Sequence, residues 1–280
     1  MDEVDELGVD ETSFLKATPM QRTQYATGLV DLKARQMIDF IAGNTADDLH
    51  RWIEQQSPQW LRGIKVVATD LTNSYRAGLS PELDHAVRVA DPFHVVRVAS
   101  RAVDDVRRRV QQEEVGHRGR KNDPLYKIRR LLLQGSEGLN DRGWERVLLG
   151  IQVGDPNLEV TMAWLTNDAL RGVYATRDVG EAAVLLENVI AACEEERIPE
   201  LRRLGRTLKS WRTEILAHHT TGAGNGPTEG LNLLVKQVKR VAFGFKKFAN
   251  YRLRVLLRTG GVRWWRRPTP PLVFHPSTGF

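Results

Sequence analysis

The sequence predicts an α/β protein in which a mixed β-sheet comes first and a largely helical region follows. The first ninety or so residues contain short segments rich in Val, Ile, Leu, Tyr and Thr, separated by polar or Gly/Pro-containing turns, which is the composition of strands. From Pro92 onward, apolar residues recur almost throughout at the spacing of an amphipathic helix. We therefore expect a sheet covered by helices, with a second half of the chain that is mainly helical.

The order of the early elements narrows this class. Three segments are expected to form an antiparallel meander: residues 7–10, 24–32 and 36–43. Residues 45–48 resemble a capping box, and the helix that they begin is expected to end before Pro58. Residues 64–70 are nearly continuous in apolar side chains, as in a strand buried on both faces, and residues 86–90 repeat the pattern more weakly. This order is typical of a ribonuclease H-like α/β layer.

The helical region has recognisable start signals. Asp91 is a helix cap in front of Pro92, and the following apolar residues form one stripe: Val95, Val96, Ala99, Ala102, Val103 and Val106. Further helices are predicted around Trp144 and over residues 158–174, 179–197 and 199–218. After a loop at 220–226, Pro227 is expected to begin the last pair of helices, and an extended tail follows Pro268.

Composition limits the class of partner. The 280 residues include 41 Lys and Arg against 35 Asp and Glu, a net charge of +6 that favours an anionic partner. A single cysteine, Cys193, excludes a disulfide framework and a cysteine-based zinc site. No apolar run reaches the roughly 18 residues of a membrane span, and the acidic residues 1–10 do not resemble a signal peptide. We expect a soluble, cytoplasmic protein.

Three carboxylates fall where this fold can bring them together. Asp10 lies in or just after the first strand, Asp70 ends the buried central strand, and Glu229 lies in the first turn of a late helix. Mg²⁺ prefers oxygen ligands and keeps several waters, so a few carboxylates and a substrate phosphate suffice to bind it. Two such ions about 3.5–4 Å apart support in-line cleavage of a phosphodiester. These residues are therefore candidate metal ligands.

A basic stripe begins beside the third carboxylate. Glu229 and Asn232 share one helical face, and one-sign charge continues beyond them, since no Asp or Glu follows Glu229. A solvated basic face is the alternative interpretation, but it is usually interrupted by acidic residues. The candidate DNA contacts are Lys236, Lys239, Arg240, Lys246, Lys247, Arg252 and Arg254.

Several motifs in this order resemble the catalytic region of the ISL-three family of bacterial insertion-sequence transposases. They are Gly-Val-Asp-Glu-Thr-Ser at 8–13, Tyr-Ala-Thr-Gly-Leu-Val-Asp-Leu at 25–32, Val-Ala-Thr-Asp at 67–70 with Tyr75, Ala-Asp-Pro-Phe-His-Val-Val-Arg at 90–97, Asn-Gly-Pro-Thr-Glu-Gly-Leu-Asn at 225–232, Lys-Arg-Val-Ala-Phe-Gly-Phe at 239–245 and Asn-Tyr-Arg-Leu-Arg at 250–254. The resemblance extends from about residue 7 to residue 257.

The resemblance implies a DDE transposase that cuts and rejoins DNA at element ends. It implies a ribonuclease H-like fold with a helical insertion, two Mg²⁺ or Mn²⁺ ions, DNA as partner and a homo-oligomer on DNA in the nucleoid. Asp10, Asp70 and Glu229 then take the three acidic positions. Asp91 competes with Asp70 for the second, but its role as a helix cap already accounts for it. His94 and Asn232 are accessory candidates, and His94 is equally well explained as a packed or exposed histidine.

The same resemblance implies that the chain consists of four segments. Residues 1–115 give the first part of the core, 116–224 the helical insertion, 225–260 the catalytic and basic helices, and 261–280 a tail. The family's zinc-binding segment and helix-turn-helix are missing from this sequence, so we expect a truncated form. Two alternatives remain: a catalytically inactive DNA-binding remnant, and a ribonuclease or resolving nuclease of the same fold. A gel shift combined with a Mg²⁺ cleavage assay distinguishes the DNA-binding remnant from an active transposase. Comparison of DNA with RNA–DNA hybrid substrates distinguishes the nuclease from a transposase.

The aromatic residues have predominantly structural interpretations. Trp144, Trp164 and Trp211 are expected in the core of the insertion, with base stacking as the less favoured alternative. Core positions are also expected at the end of the basic stripe, for Phe243, Phe245, Phe248 and Tyr251. For Trp264 and Trp265, beside Arg266 and Arg267, a nucleic-acid contact and simple anchoring are equally favoured.

Overall fold

The computed structural model describes residues 3–79 and 81–261, and it contains a five-stranded mixed sheet. The strands are β1 (Glu6–Leu15), β2 (Gln24–Asp31), β3 (Gln36–Ala42), β4 (Val66–Thr69) and β5 (Val87–Ala90). Their order across the sheet is β3-β2-β1-β4-β5, with β1, β2 and β3 antiparallel and β1, β4 and β5 parallel. The predicted α/β class with a mixed sheet is confirmed, and β1 is longer than the predicted segment.

Helices account for most of the remaining chain. They are α1 (Ala46–Glu54), α2 (Pro58–Gly63), α3 (Asn73–Gly78), α4 (Pro92–Val115), α5 (Pro124–Ile128), α6 (Asp141–Gly154), α7 (Glu159–Ala175), α8 (Val179–Glu195), α9 (Pro199–Ser210), α10 (Arg212–Thr221), α11 (Gly226–Val241) and α12 (Phe248–Thr259). The capping box of α1 forms at Thr45 and Asp48, and Asp91 caps α4 as the sequence predicts.

The two faces of the sheet pack against different helices. On one face, Val9 and Val67 join Ile53 in a core formed with α1, α2 and α3. On the other face, Ala68 packs in the core that α11 and α12 cover through Val235 and others. β4 is buried along its whole length because helices lie on both sides of it. The sheet thus lies in the middle of three layers.

A separate helical core extends from the edge of the sheet. It runs along α4 and gathers buried residues from α6 to α10, among them Val147, Trp164 and Leu186. Trp164 and Trp211 are each 4% exposed, so the core positions predicted for them are confirmed, whereas Trp144 is 36% exposed at the edge of this core. Cys193 is also buried there, as a free thiol.

The single helix predicted over residues 199–218 is wrong. The chain leaves helical geometry at Trp211, which has φ −108° and ψ 13° and separates α9 from α10. Arg76 occupies the break: its guanidinium lies 5.0 Å from the centroid of the Trp211 ring system and donates to the Ser210 carbonyl at 3.2 Å. It also pairs with the buried Glu214 at 2.8 Å. Apolar spacing continues through the break, from Leu208 to Trp211 and Ile215, so the sequence pattern does not reveal it.

The end of the basic stripe also departs from expectation. Tyr251 is fully buried and stacks against Phe14 at 5.4 Å, and Phe245 and Phe248 pack partly buried around the same core. Phe243, predicted as a core residue, is 100% exposed. The expectation fails there because the chain turns away from the core immediately after α11. The tail after Pro268 and the pair Trp264-Trp265 lie outside the described residues.

Within the residues that the structure describes, none of the helices combines the length and the apolar composition needed to cross a membrane.

Candidate active site

The parallel strands bring three aspartates to one edge of the sheet. Val9 of β1 lies opposite Thr69 of β4, which lies opposite Ala90 of β5. The next residue after each of these is an aspartate: Asp10, Asp70 and Asp91. Ligands in α/β sheets bind outside the carboxyl ends of such strands, so this register forms a candidate site directly.

α11 brings Glu229 to the same edge, although Glu229 follows Asp91, the last of the three aspartates, by more than a hundred residues. It approaches β1 so closely that a Cβ atom at Gly8 would collide with Thr228 Oγ1 and stand 2.8 Å from Asn225 Oδ1. The side chain of Asn225 donates from Nδ2 to the Val9 carbonyl at 3.2 Å. A glycine in β1 is therefore a requirement for seating the first turn of α11 on the sheet.

Two asparagines connect α11 to the aspartates. Asn232 Nδ2 donates to Asp10 Oδ2 at 2.7 Å, and the Glu11 backbone N–H donates to Asp10 Oδ1 at 2.8 Å. The backbone N–H of Asn225 donates to Asp91 Oδ1 at 2.8 Å. Asn232, an accessory candidate from the sequence, is 5% exposed and lies beside the acidic cluster.

His94 lies between two groups of carboxylates. In one group, a ligand atom of His94 and carboxylate oxygens of Asp10 and Asp70 all lie within 4.8 Å of one another. In the other, His94, Asp91 and Glu229 satisfy the same criterion. His94 Nδ1 is 2.9 Å from Asp91 Oδ2 and 3.8 Å from Glu229 Oε1. The structure thus brings Asp10 and Asp70 together and places Glu229 in the adjoining group.

Asp70 and Asp91 differ in the partners of their oxygens. Both oxygens of Asp91 accept hydrogen bonds, Oδ1 from Asn225 N–H and Oδ2 from the backbone N–H and ring of His94. Asp70 Oδ1 is buried and has no hydrogen-bond partner. A buried carboxylate oxygen without a partner is costly, and a bound cation is one way to satisfy it. The donor set at Asp10 and Asp70 therefore fits a hard divalent metal ion.

The surroundings raise the pKa values of two of the three predicted ligands. Burial raises the pKa of Asp10 to about 6, against the opposing effect of the hydrogen bond from Glu11 N–H, and the nearby charge of Asp70 adds to the increase. Burial also raises the pKa of Glu229, with a further contribution from the negative charge of Asp91. Both shifts arise from burial and neighbouring negative charge, which a bound divalent cation would offset.

In the pair formed by His94 and Asp91, the surroundings shift both pKa values in favour of the charged forms. Burial alone would lower the pKa of His94, but the hydrogen bond and charge of Asp91 outweigh it and raise the pKa. Burial likewise opposes the ionised form of Asp91, yet hydrogen bonds from His94 and Asn225 N–H lower its pKa overall. Asp91 is therefore held as a carboxylate by protein groups alone.

A cavity of about 830 Å³ opens over the cluster and has basic residues along its wall. Arg97 and Arg101 extend from α4, and Lys236 extends from α11. The exposed side chains of Phe93 and Tyr25 line the same cavity. The two arginines were not predicted as site residues; the available signal was their spacing of three and seven residues after His94, which puts them near its face of the helix. The cavity thus combines an acidic floor with cationic walls.

The predicted DNA contacts differ in their surroundings and fall into three groups. Lys239 Nζ donates to the Ser13 carbonyl at 3.1 Å, and Arg252 pairs with Asp39 at 2.6 Å, so both are already engaged with the sheet. Lys236 lines the cavity. The remaining residues of the set are exposed: Arg240, Lys246, Lys247 and Arg254.

Comparison with known families shows the family of this chain. The model of the ISL3 (ISL-three) family of DDE transposases, described as a transposase, matches residues 7–255. The chain belongs to this transposase family. The matched range includes both strand aspartates of the cluster, Asp10 and Asp70, as well as Glu229 and the whole helical region between them.

Two curated relatives show the extent of the similarity. The transposase for insertion sequence element IS1001 of Bordetella parapertussis is 28% identical over 83% of this chain and 56% of its own length. The transposase for insertion sequence element IS1557 of Mycobacterium tuberculosis is 25% identical over 95% of this chain and 61% of its own length. This transposase chain thus spans somewhat more than half the length of these relatives. No solved structure matches it.

Proposed function

We propose that this chain is the catalytic region of a DDE transposase, which cuts and rejoins DNA with Mg²⁺ bound by Asp10, Asp70 and Glu229. One observation carries the proposal: the unpartnered buried oxygen of Asp70 lies beside Asp10 in a cavity that Glu229 also lines. When bound, divalent ions would activate the attacking oxygen and stabilise the leaving oxygen of a phosphodiester. Mn²⁺ meets the same oxygen-ligand requirement.

The choice of Asp70 over Asp91 as the second ligand rests on hydrogen bonding. Asp91 has committed both oxygens to His94 and to Asn225, and its loss would loosen the contact between α4 and α11. We assign it to positioning. His94 then holds Asp91 and faces Glu229 with a raised pKa, so its positive form partly balances the acidic cluster.

Residues around the cluster have distinct roles in this proposal. Asn232 fixes Asp10 by donating to Oδ2, which leaves the carboxylate plane oriented before substrate arrives. Arg97, Arg101 and Lys236 line the cavity wall, where they can bind the phosphates on either side of the bond that is cut. The carboxylates serve as ligands in this scheme, so no covalent bond forms between protein and DNA.

The strand order supports a ribonuclease H-like core. An antiparallel meander of β1, β2 and β3 is followed by β4 and β5, which lie parallel to β1. Asp10 in β1 and Asp70 after β4 lie near Glu229 of α11, a helix that follows the helical region in the chain. This arrangement agrees with the fold implied by the motif resemblance. As part of the same proposal, the protein acts as a homo-oligomer on the DNA ends of the element, in the nucleoid.

The test is Mg²⁺-dependent nicking of a supercoiled plasmid by the purified full chain. Asp10→Asn, Asp70→Asn and Glu229→Gln should each lower the nicking rate by at least a hundredfold while DNA binding in a gel shift persists. Asp91→Asn should keep measurable nicking, because it removes a positioning contact. Loss of nicking in the Asp91 variant with retention in the Asp70 variant would reverse the assignment of the second ligand.

The same preparation distinguishes the two alternatives. A DNA-binding remnant would bind with a steep salt dependence and leave the plasmid intact in Mg²⁺ and in Mn²⁺. A ribonuclease would cut an RNA–DNA hybrid faster than duplex DNA. Duplex nicking that disappears with EDTA and with each of the three substitutions would support the transposase proposal over both.

A further inference from the structure

Phe243, two residues after the end of α11, is unusual in both its backbone geometry and its exposure. Phe243 has φ +53° and is 100% exposed. Its N–H donates to the Arg240 carbonyl at 3.1 Å, and the next N–H, of Gly244, donates to the Lys239 carbonyl at 2.9 Å. These two bonds form a Schellman motif, and its left-handed position is the one that glycine normally fills. A phenylalanine there adds backbone strain and buries no ring, so packing does not account for it.

The surface around Phe243 is positively charged. Arg240, Lys246 and Lys247 are exposed, and they take part in no ion pair among the residues that the structure describes. The sequence has no Asp or Glu after Glu229. Val241, the last residue of α11, is 69% exposed. Together with Phe243 it forms an exposed apolar group at the end of this helix, which we call the tip. An exposed aromatic ring next to exposed basic side chains complements a nucleic acid, whose phosphates flank stacked bases.

α11 also relates this tip to the active-site cavity. Its first turn carries Glu229 in the cavity, and Phe243 follows fourteen residues later. At 1.5 Å per residue, the two are separated by about 20 Å along the helix, which equals about six base-pair steps of duplex DNA. Lys236 lies between them and lines the cavity. This separation is within the reach of one short duplex.

We propose that Phe243 is an apolar wedge that inserts between adjacent base pairs of bound duplex DNA, with Arg240, Lys246 and Lys247 on the flanking phosphates. Proteins that insert such a side chain partly unstack one step and bend the duplex. The proposal rests on the proposed function, since it takes DNA as the substrate. It adds a second contact, remote from the metal ligands, that fixes where the duplex bends relative to the cleavage site.

A matched pair of variants tests the wedge in the full chain. Leu158 is also a non-glycine residue in left-handed geometry, with φ +58° and 57% exposure, and it adjoins Glu159 on a surface with Glu195 and Glu196. Phe243→Gly and Leu158→Gly should both raise the Tm, because each removes left-handed strain. Of these two variants, only Phe243→Gly should change DNA binding and the unstacking of bases. Phe243→Trp should preserve the DNA effects.

The DNA readouts are binding by fluorescence anisotropy and unstacking by permanganate reactivity of thymines, on a random-sequence duplex. We expect Phe243→Gly to weaken binding about tenfold and to abolish the protein-dependent permanganate reactivity. Its salt dependence should match the wild type, because no phosphate contact is lost. Leu158→Gly should match the wild type in both DNA assays.

Equal binding and equal permanganate reactivity in Phe243→Gly and wild type would overturn the wedge. A change from dimer to monomer in Phe243→Gly by sedimentation velocity, with unchanged DNA readouts, would assign the tip to contact between copies and would also overturn it. Plasmid nicking separates this failure from that of the proposed function. If only the wedge is wrong, wild type still nicks in Mg²⁺; if the proposed function is wrong, wild type nicks neither in Mg²⁺ nor in Mn²⁺.

Discussion

Replacing Asp10 by asparagine should stabilise the metal-free protein even though it removes a proposed catalytic ligand. Burial raises the pKa of Asp10 from 3.8 to about 6 in the folded chain. The folded protein therefore holds a proton that the unfolded chain releases at lower pH, and wild-type stability declines as the pH rises through this window. At 1.36 kcal/mol per pKa unit, the loss is about 3 kcal/mol at pH 8 and about half of that at pH 5.

The asparagine variant avoids this loss because it does not ionise. Asn232 Oδ1 is buried without a partner, so rotation of the Asn232 amide lets it accept from the new amide and keeps both hydrogen bonds at position 10. We expect Asp10→Asn to unfold with a free energy about 3 kcal/mol above wild type at pH 8 in EDTA. The measurement is urea unfolding, and the difference should shrink as the pH falls towards 4.

Mg²⁺ provides the control for this experiment. Ligand binding to the native state stabilises wild type, whereas the variant has lost a ligand, so added Mg²⁺ should narrow the gap at pH 8. A variant that is no more stable than wild type in EDTA, or a difference that does not change with pH, would refute the reasoning that burial of an unneutralised carboxylate destabilises this site.

Three further outcomes are expected from the geometry. Gly8→Ala places a methyl group against Thr228 and should cost about 1–3 kcal/mol in urea unfolding, with Mg²⁺-dependent nicking reduced because α11 is displaced. Arg76→Ala leaves Glu214 buried without its cation and should cost about 3 kcal/mol, largely restored by adding Glu214→Gln; equal stability of the two variants would contradict this. Arg97→Gln should reduce the slope of log binding constant against log salt by about 0.9, measured by anisotropy, and an unchanged slope would exclude a phosphate contact.

The pattern of side chains was sufficient for the class of the fold and for much of the candidate site. Segment composition and turn residues predicted the strands of the meander, and the nearly continuous apolar run predicted the buried strand β4. Asp10, Asp70 and Glu229 were named from position and motif, and all three line one cavity. These features were accessible because period, caps and strand ends are local properties of the chain.

Both Asp70 and Asp91 follow a strand, and the sequence favoured Asp70 only because a role as helix cap already accounts for Asp91. The hydrogen bond from the His94 backbone N–H is the helix cap that the sequence predicts, whereas the one from Asn225, 134 residues away along the chain, follows from no local pattern. The break at Trp211 depends in the same way on Arg76 from a distant helix. The exposure of Phe243 depends on the direction in which the chain leaves α11.

Sequence by itself therefore determined which elements form and which chemical groups this transposase chain carries. Tertiary structure decided which oxygens are left without partners, which cations are already paired, and which aromatic ring faces solvent. The physical reason is that periodicity and capping act within a few residues, whereas desolvation and hydrogen-bond satisfaction depend on neighbours that only the folded chain assembles.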